Sequence, residues 1–69
     1  MDIRRRVGLN IKRERTAKGW SQEEFAERSG LHRTYVSGLE RGIRNPTVTV
    51  LEKLAAGLGV PASRLLDKA

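Results

Sequence analysis

No cysteine occurs in this chain of 69 residues, which excludes disulfides and thiolate metal sites. Histidine is present once, at His32, so a histidine-based metal centre is not expected. No apolar run approaches the ~18 residues needed to cross a bilayer, and the start, MDIRRRVGLN, lacks the apolar stretch of a secretory signal. The expectation is a cytoplasmic protein with no membrane partner. Internal repeats, low-complexity tracts and linkers are missing as well. No segment alternates with a period of two for long enough to suggest a sheet. Nor does the chain carry a paired acid and base, a phosphate-binding loop or a metal cluster. Catalysis, a cofactor and a small-molecule substrate are therefore not expected.

What the chain does carry is positive charge. Fourteen Lys and Arg against eight Asp and Glu leave a formal +6, with an isoelectric point near 10.8. Such a charge draws polyanions, nucleic acid among them, over a Debye length of ~8–10 Å. Many small domains are basic for solubility alone, so charge does not decide the partner. The length allows one domain, residues 1–69. A domain of this size buries only about 60% of its unfolded surface, and tight helix packing and oligomerisation are its expected stabilisers.

Gly19, Gly30, Gly42, Gly59 and Pro61 divide the chain into five segments, and each fits a helix. The first runs from about Ile3 to Lys18, with an apolar stripe of Ile3, Val7 and Ile11, joined by Leu9. SQEE at 21–24 is a capping box: the Ser21 hydroxyl accepts from the Glu24 amide while the Glu24 side chain reaches back. A second helix then spans Gln22 to about Ser29, with Phe25 and Ala26 facing inward and Trp20 stapling its start. The third lies within GLHRTYVSGLERG, residues 30–42. Its Leu31, Tyr35, Val36 and Leu39 fall on one side, and Arg33, Thr34, Ser37 and Gly38 on the other. Pro46 keeps IRNPT extended. Thr47 caps a fourth helix whose Val48, Leu51, Leu54, Ala55 and Leu58 line one face. GVPASRLLDK supplies a turn and a short fifth helix with Pro61 at its first position. The expected fold is all-α, a compact domain of five helices.

Within 22–41 four packing demands coincide. Ala26 is small where the third helix must cross, and Gly30 takes the positive φ of the turn. Val36 and Leu39 fill the angle between the two helices. This is the spacing of a helix-turn-helix. Gly38 costs about 1 kcal/mol of helix stability relative to alanine, which suggests that something comes close to it.

At these residues the chain resembles a known family. SQEEFAERSGLHRTYVSGLERGIRNPTVTVLEKLAAGLGV is similar to the helix-turn-helix domain of phage repressors and Cro proteins, the XRE family, from about Val7 to Leu66. RTYVSGLERGIRNPT further resembles the controller proteins of restriction–modification systems. The resemblance implies a homodimer that binds double-stranded DNA at a palindromic operator and regulates transcription, with the third helix in the major groove. Carried over by position, Arg33, Thr34, Ser37 and Gly38 are the base readers. Arg33 is suited to a bidentate bond with guanine and the Thr34 methyl to thymine. Gly38 either lets the helix backbone sit deep in the groove or is neutral there. Gln22, His32, Tyr35, Arg41, Arg44 and Asn45 are the implied backbone contacts, which position without reading sequence. His32 stands where a serine cap is common, and histidine caps poorly.

The same resemblance makes Arg15 and Glu40 a semi-buried structural ion pair, and Glu40 has no partner for a catalytic role. Trp20 and Tyr35 read as packing residues before they read as stacking platforms. Arg4, Arg5 and Arg6 fit a solvated helix face or a contact with flanking DNA. Within 47–69 the expected dimer surface comprises Val50, Ala62, Leu65 and Leu66, with one of the two leucines closing the core instead. A protein-interaction module of the same fold, such as an antitoxin or adaptor, is the alternative function.

Overall fold

The computed structural model describes residues 2–68 and holds α1 (Ile3–Ala17), α2 (Gln22–Ser29), α3 (Arg33–Glu40) and α4 (Val48–Leu58), followed by a 3₁₀ helix, Ala62–Leu66. No strand is present among the described residues. Met1 and Ala69, the ends of the expected domain, lie outside them.

The chain starts its helices with short polar side chains that satisfy otherwise unpaired amides. Asp2 accepts from the Arg4 amide at 2.8 Å, Ser21 from Glu24 at 3.0 Å and Thr47 from Val50 at 3.1 Å. The capping box is only half made. The Glu24 carboxylate turns away from the Ser21 amide and takes the Arg28 guanidinium one turn on, at 2.9 Å. The staple does form, with the Trp20 ring stacked on Phe25 at 6.3 Å between centroids. The Arg28 guanidinium lies over the same indole, 4.2 Å from its centroid.

The core is aliphatic around one phenylalanine. Val7, Ile11, Phe25, Ala26, Val36, Leu39, Leu54, Ala55, Leu58 and Leu65 are all buried, the larger of them contributing ~1.5–3 kcal/mol each by leaving water. Three residues expected on the apolar faces are exposed instead, while Leu51 is half-buried against the core. Ile3 and Leu9 are exposed, the first because it sits at the start of α1 and the second because it points away from the core stripe of that helix. Val48 is 78% exposed: as the first residue of α4 it precedes the turn at which that helix meets the core.

Two contacts unforeseen in the sequence hold α1 in place. At Gly8 an added Cβ would collide with the Leu39 carbonyl oxygen and lie 2.9 Å from that of Glu40, so α1 and the end of α3 touch backbone to backbone. Two residues on, Asn10 is fully buried, and its Nδ2 donates to the carbonyls of Leu65 at 2.9 Å and Asp67 at 2.6 Å. That clamp shapes the last element. It is a 3₁₀ helix rather than an α-helix, and Pro61 stands at its N-cap rather than at its first position. Leu65 is pulled completely into the core. Leu65 is thereby removed from the expected dimer surface, while Leu66 stays 43% exposed. Val50 and Ala62 are half-buried against the same core.

Candidate nucleic-acid interface

The two helices of the motif are joined by three residues. Gly30 closes α2 with φ +70°, and the Leu31 amide donates back to the Ala26 carbonyl at 2.9 Å. That geometry needs the left-handed region, which glycine adopts without strain. His32 follows with extended backbone and makes no side-chain cap bond; its carbonyl instead accepts from the amides of Tyr35 and Val36. The first amides of α3 are therefore left to other acceptors.

Of the residues assigned to base reading, Arg33 and Thr34 are exposed and Ser37 is half-buried. Gly38 is buried. The gap beside it is filled from within the chain: a Cβ at residue 38 would lie 2.7 Å from Cγ of Arg44. The Arg44 stem crosses α3 at this point, and its guanidinium rests 5.9 Å from the centroid of the Tyr35 ring, at cation–π distance. What comes close to Gly38 is thus an arginine from the loop after the helix. The Ile43 amide, donating to the Gly38 carbonyl at 3.0 Å, fixes the start of that loop.

Gln22 and Arg33 meet in an open cleft at the start of α2, lined also by Arg15, Ser21 and Glu23. Behind it lies a network. Arg15 donates through Nε to Glu40 Oε2 at 2.6 Å and through Nη2 to Oε1 at 3.0 Å, a bidentate pair whose carboxylate side chain is 4% exposed. The Arg15 Nη1 donates to the Trp20 carbonyl at 2.7 Å, and Gln22 Nε2 to Glu40 Oε1 at 3.0 Å. The hydrogen bond to Glu40 raises the Arg15 pKa above its ordinary value, against the cost of burial. The ion pair follows from the sequence resemblance; the bond to Gln22 does not. That amide spends one N–H on Glu40 and has a second to give.

The arginines flanking the cleft and the loop, Arg33, Arg41 and Arg44, make no ion pair among the described residues, whose four pairs are Arg4–Asp2, Arg15–Glu40, Arg28–Glu24 and Arg64–Glu14. His32, Arg41, Arg44 and Asn45 line the same stretch of chain around α3. All four are exposed. Nor is a group of acidic and histidine side chains suited to a metal ion found among the described residues.

A helix-turn-helix family model, HTH_3, matches residues 11–65. The chain belongs to the HTH_3 helix-turn-helix family, of XRE type. It is accordingly a DNA-binding transcriptional regulator. It is 55% identical over 60 residues to an HTH-type transcriptional regulator of Sinorhizobium fredii, covering 87% of this chain and 78% of that one. Among solved structures, a hypothetical transcription factor from Neisseria superposes with a TM-score of 0.93 at 48% identity, over 97% of this chain and 77% of the other. The restriction–modification controller protein C.AhdI from Aeromonas hydrophila gives a TM-score of 0.87 at 44% identity, over 90% and 94% respectively. In this helix-turn-helix regulator α3 is the second helix of the motif, and no described helix is long and apolar enough to cross a membrane.

Proposed function

We infer that this regulator binds a palindromic operator as a homodimer and controls a restriction–modification system. The observation that carries the DNA-reading part is that Arg33 and Thr34 project from the first turn of α3 with no acidic partner for the arginine among the described residues. A helix lying in the major groove brings that turn to the base edges. Arg33 reads a guanine, Thr34 a neighbouring thymine methyl, and Ser37 lies one turn further along. Gly38 serves by leaving room for Arg44. Gln22, His32, Tyr35, Arg41, Arg44 and Asn45 contact the sugar–phosphate chain. The controller role is supported by the likeness to C.AhdI, most of whose length this chain covers.

The dimer surface within 47–69 reduces to Val50, Ala62 and Leu66, since Leu65 is spent on the core. Two copies related by a twofold axis place their α3 helices about one helical turn, ~34 Å, apart on the duplex. Selection from a random duplex pool at about 150 mM salt, near the physiological value, tests the operator and the dimer together. A palindrome with half-site centres about ten base pairs apart is the expected product. Retention of DNA without an enriched sequence overturns operator reading, and a single half-site overturns the dimer.

On the enriched duplex, Arg33→Ala is expected to cost ~1–3 kcal/mol and to relax preference at one base pair. Equal loss on every sequence would show a phosphate contact instead. Arg44→Ala is expected to weaken all sequences alike and to lower the salt slope by about 1. A preserved slope with a changed base preference would assign Arg44 to base reading.

A further inference from the structure

The cationic surface continues past the turn that follows α3. At Gly42 an added Cβ would lie 2.9 Å from Cγ of Arg5 and 3.1 Å from its Cα. The first turn of α1 is therefore laid directly against that turn, with Arg5 on one side of the glycine and Arg41 preceding it in the chain. Arg5 is exposed and takes part in no ion pair among the described residues. Asp2, the acid at this end of α1, is held by Arg4 at 2.9 Å. Glu14, the acid within α1, turns to Arg64 near the far end of the helix. Arg6 is half-buried, and its Nε is out of reach of water with no hydrogen-bond acceptor. With Nε sealed off, Arg6 can meet an outside anion only through its terminal nitrogens.

Placed beside the turn that leaves a DNA-reading helix, such guanidiniums meet one abundant partner, the phosphates of the duplex being read. We propose that the first turn of α1 is a second duplex-contacting edge, in which Arg5 and Arg6 continue the charge of Arg41 across Gly42 and hold phosphates beside the segment read by α3. The packing against Gly42 fixes where the edge lies relative to α3. Binding there is indifferent to base identity and depends on how far the duplex extends. The proposal rests on α3 lying in the major groove.

The test compares wild type with Arg5→Gln, Arg6→Gln and the double variant, since glutamine keeps much of the stem and removes the charge. Each is titrated across a range of salt onto the enriched duplex carrying about one further helical turn (~10 base pairs) on either side, and onto the same duplex trimmed of it. On the long duplex the logarithmic salt slope is expected to fall by about 0.9 for each phosphate that is no longer neutralised. On the trimmed duplex wild type and variants are expected to bind alike. Arg5→Lys with Arg6→Lys should restore the slope. Equal slopes on the long duplex overturn the proposal. So does equal weakening on both duplexes, which would show that only the packing against Gly42 had suffered. Failure of the wild type to retain either duplex would instead remove the reading of α3 on which the edge depends.

Discussion

Gly8→Ala is expected to destabilise this domain more than any other single methyl addition on α1. The new Cβ meets the carbonyl oxygens of Leu39 and Glu40, and these are main-chain atoms with no rotamer to change. Overpacking a well-filled site costs ~1–3 kcal/mol, and more where the backbone must yield. Here it must. The Leu39 carbonyl also accepts from the Gly42 amide at 3.1 Å, so moving it loosens the turn that carries Arg41 and Arg44. A domain of this length has a total stability of only ~3–10 kcal/mol at the usual ~0.05–0.15 kcal/mol per residue. Urea unfolding followed by circular dichroism should show a loss of at least ~2 kcal/mol against the wild type. An unchanged midpoint would mean that α1 and α3 slide apart without penalty, and the close crossing would then count for little.

Glu40→Ala is expected to cost ~3–5 kcal/mol, the usual consequence of leaving a buried charge without its partner. Arg15 would keep its bond to the Trp20 carbonyl and lose both bonds to the carboxylate. Replacing both partners, as Arg15→Met with Glu40→Leu, should recover most of that loss, because two well-packed apolar side chains often match a buried ion pair. Recovery should stop short of completion, since the Trp20 carbonyl loses its Arg15 donor in the double variant. The functional effect separates from the stability effect through Gln22, which donates to Glu40 at 3.0 Å. In the double variant the protein should be folded yet bind duplex more weakly, with Gln22→Ala adding little further loss. Full additivity between Gln22→Ala and the double variant would show that the network does not hold the amide in place.

Much of the fold is legible in the sequence because it rests on local rules. Ser21 and Thr47 cap the helices they precede, and Gly30 closes α2 with the turn the motif requires. The three-and-four spacing of Leu54, Ala55 and Leu58 marks the buried face of α4. What is not legible depends on residues far apart in the chain. A buried Asn10 has no periodicity to announce it, since its acceptors are carbonyls 55 and 57 positions away. Nor does a capping box reveal that Arg28 will compete for its glutamate.

The mid-helix glycines make the same point more sharply. Gly38 signals a close approach, and within the chain the approaching group is Arg44. Gly8 carries an equal signal, a helix former withheld where alanine would be better by about 1 kcal/mol. Its partner is not legible locally, because the carbonyls it meets belong to Leu39 and Glu40 at the far end of α3. For the candidate interface, residue types are readable one by one: exposed arginines, a threonine, an amide at a helix start. The bond that ties Gln22 to Glu40 behind the cleft is not, because it requires α2 and α3 already in place.

The bond between Asn10 and the segment around Leu65 bears on the order in which the molecule can be made. A chain emerging from the ribosome delivers α1 early, with a polar amide on the face that must become dry. Its partners, the carbonyls of Leu65 and Asp67, arrive only after the whole helix-turn-helix has been synthesised. Until they do, Asn10 needs water, the hole later filled by Leu65 is open, and α1 gains little from docking on α4. The DNA-reading motif can be written in full and still not be locked. Closure of the core around α1 thus waits on the stretch around Leu65, the last part of the described chain to be made.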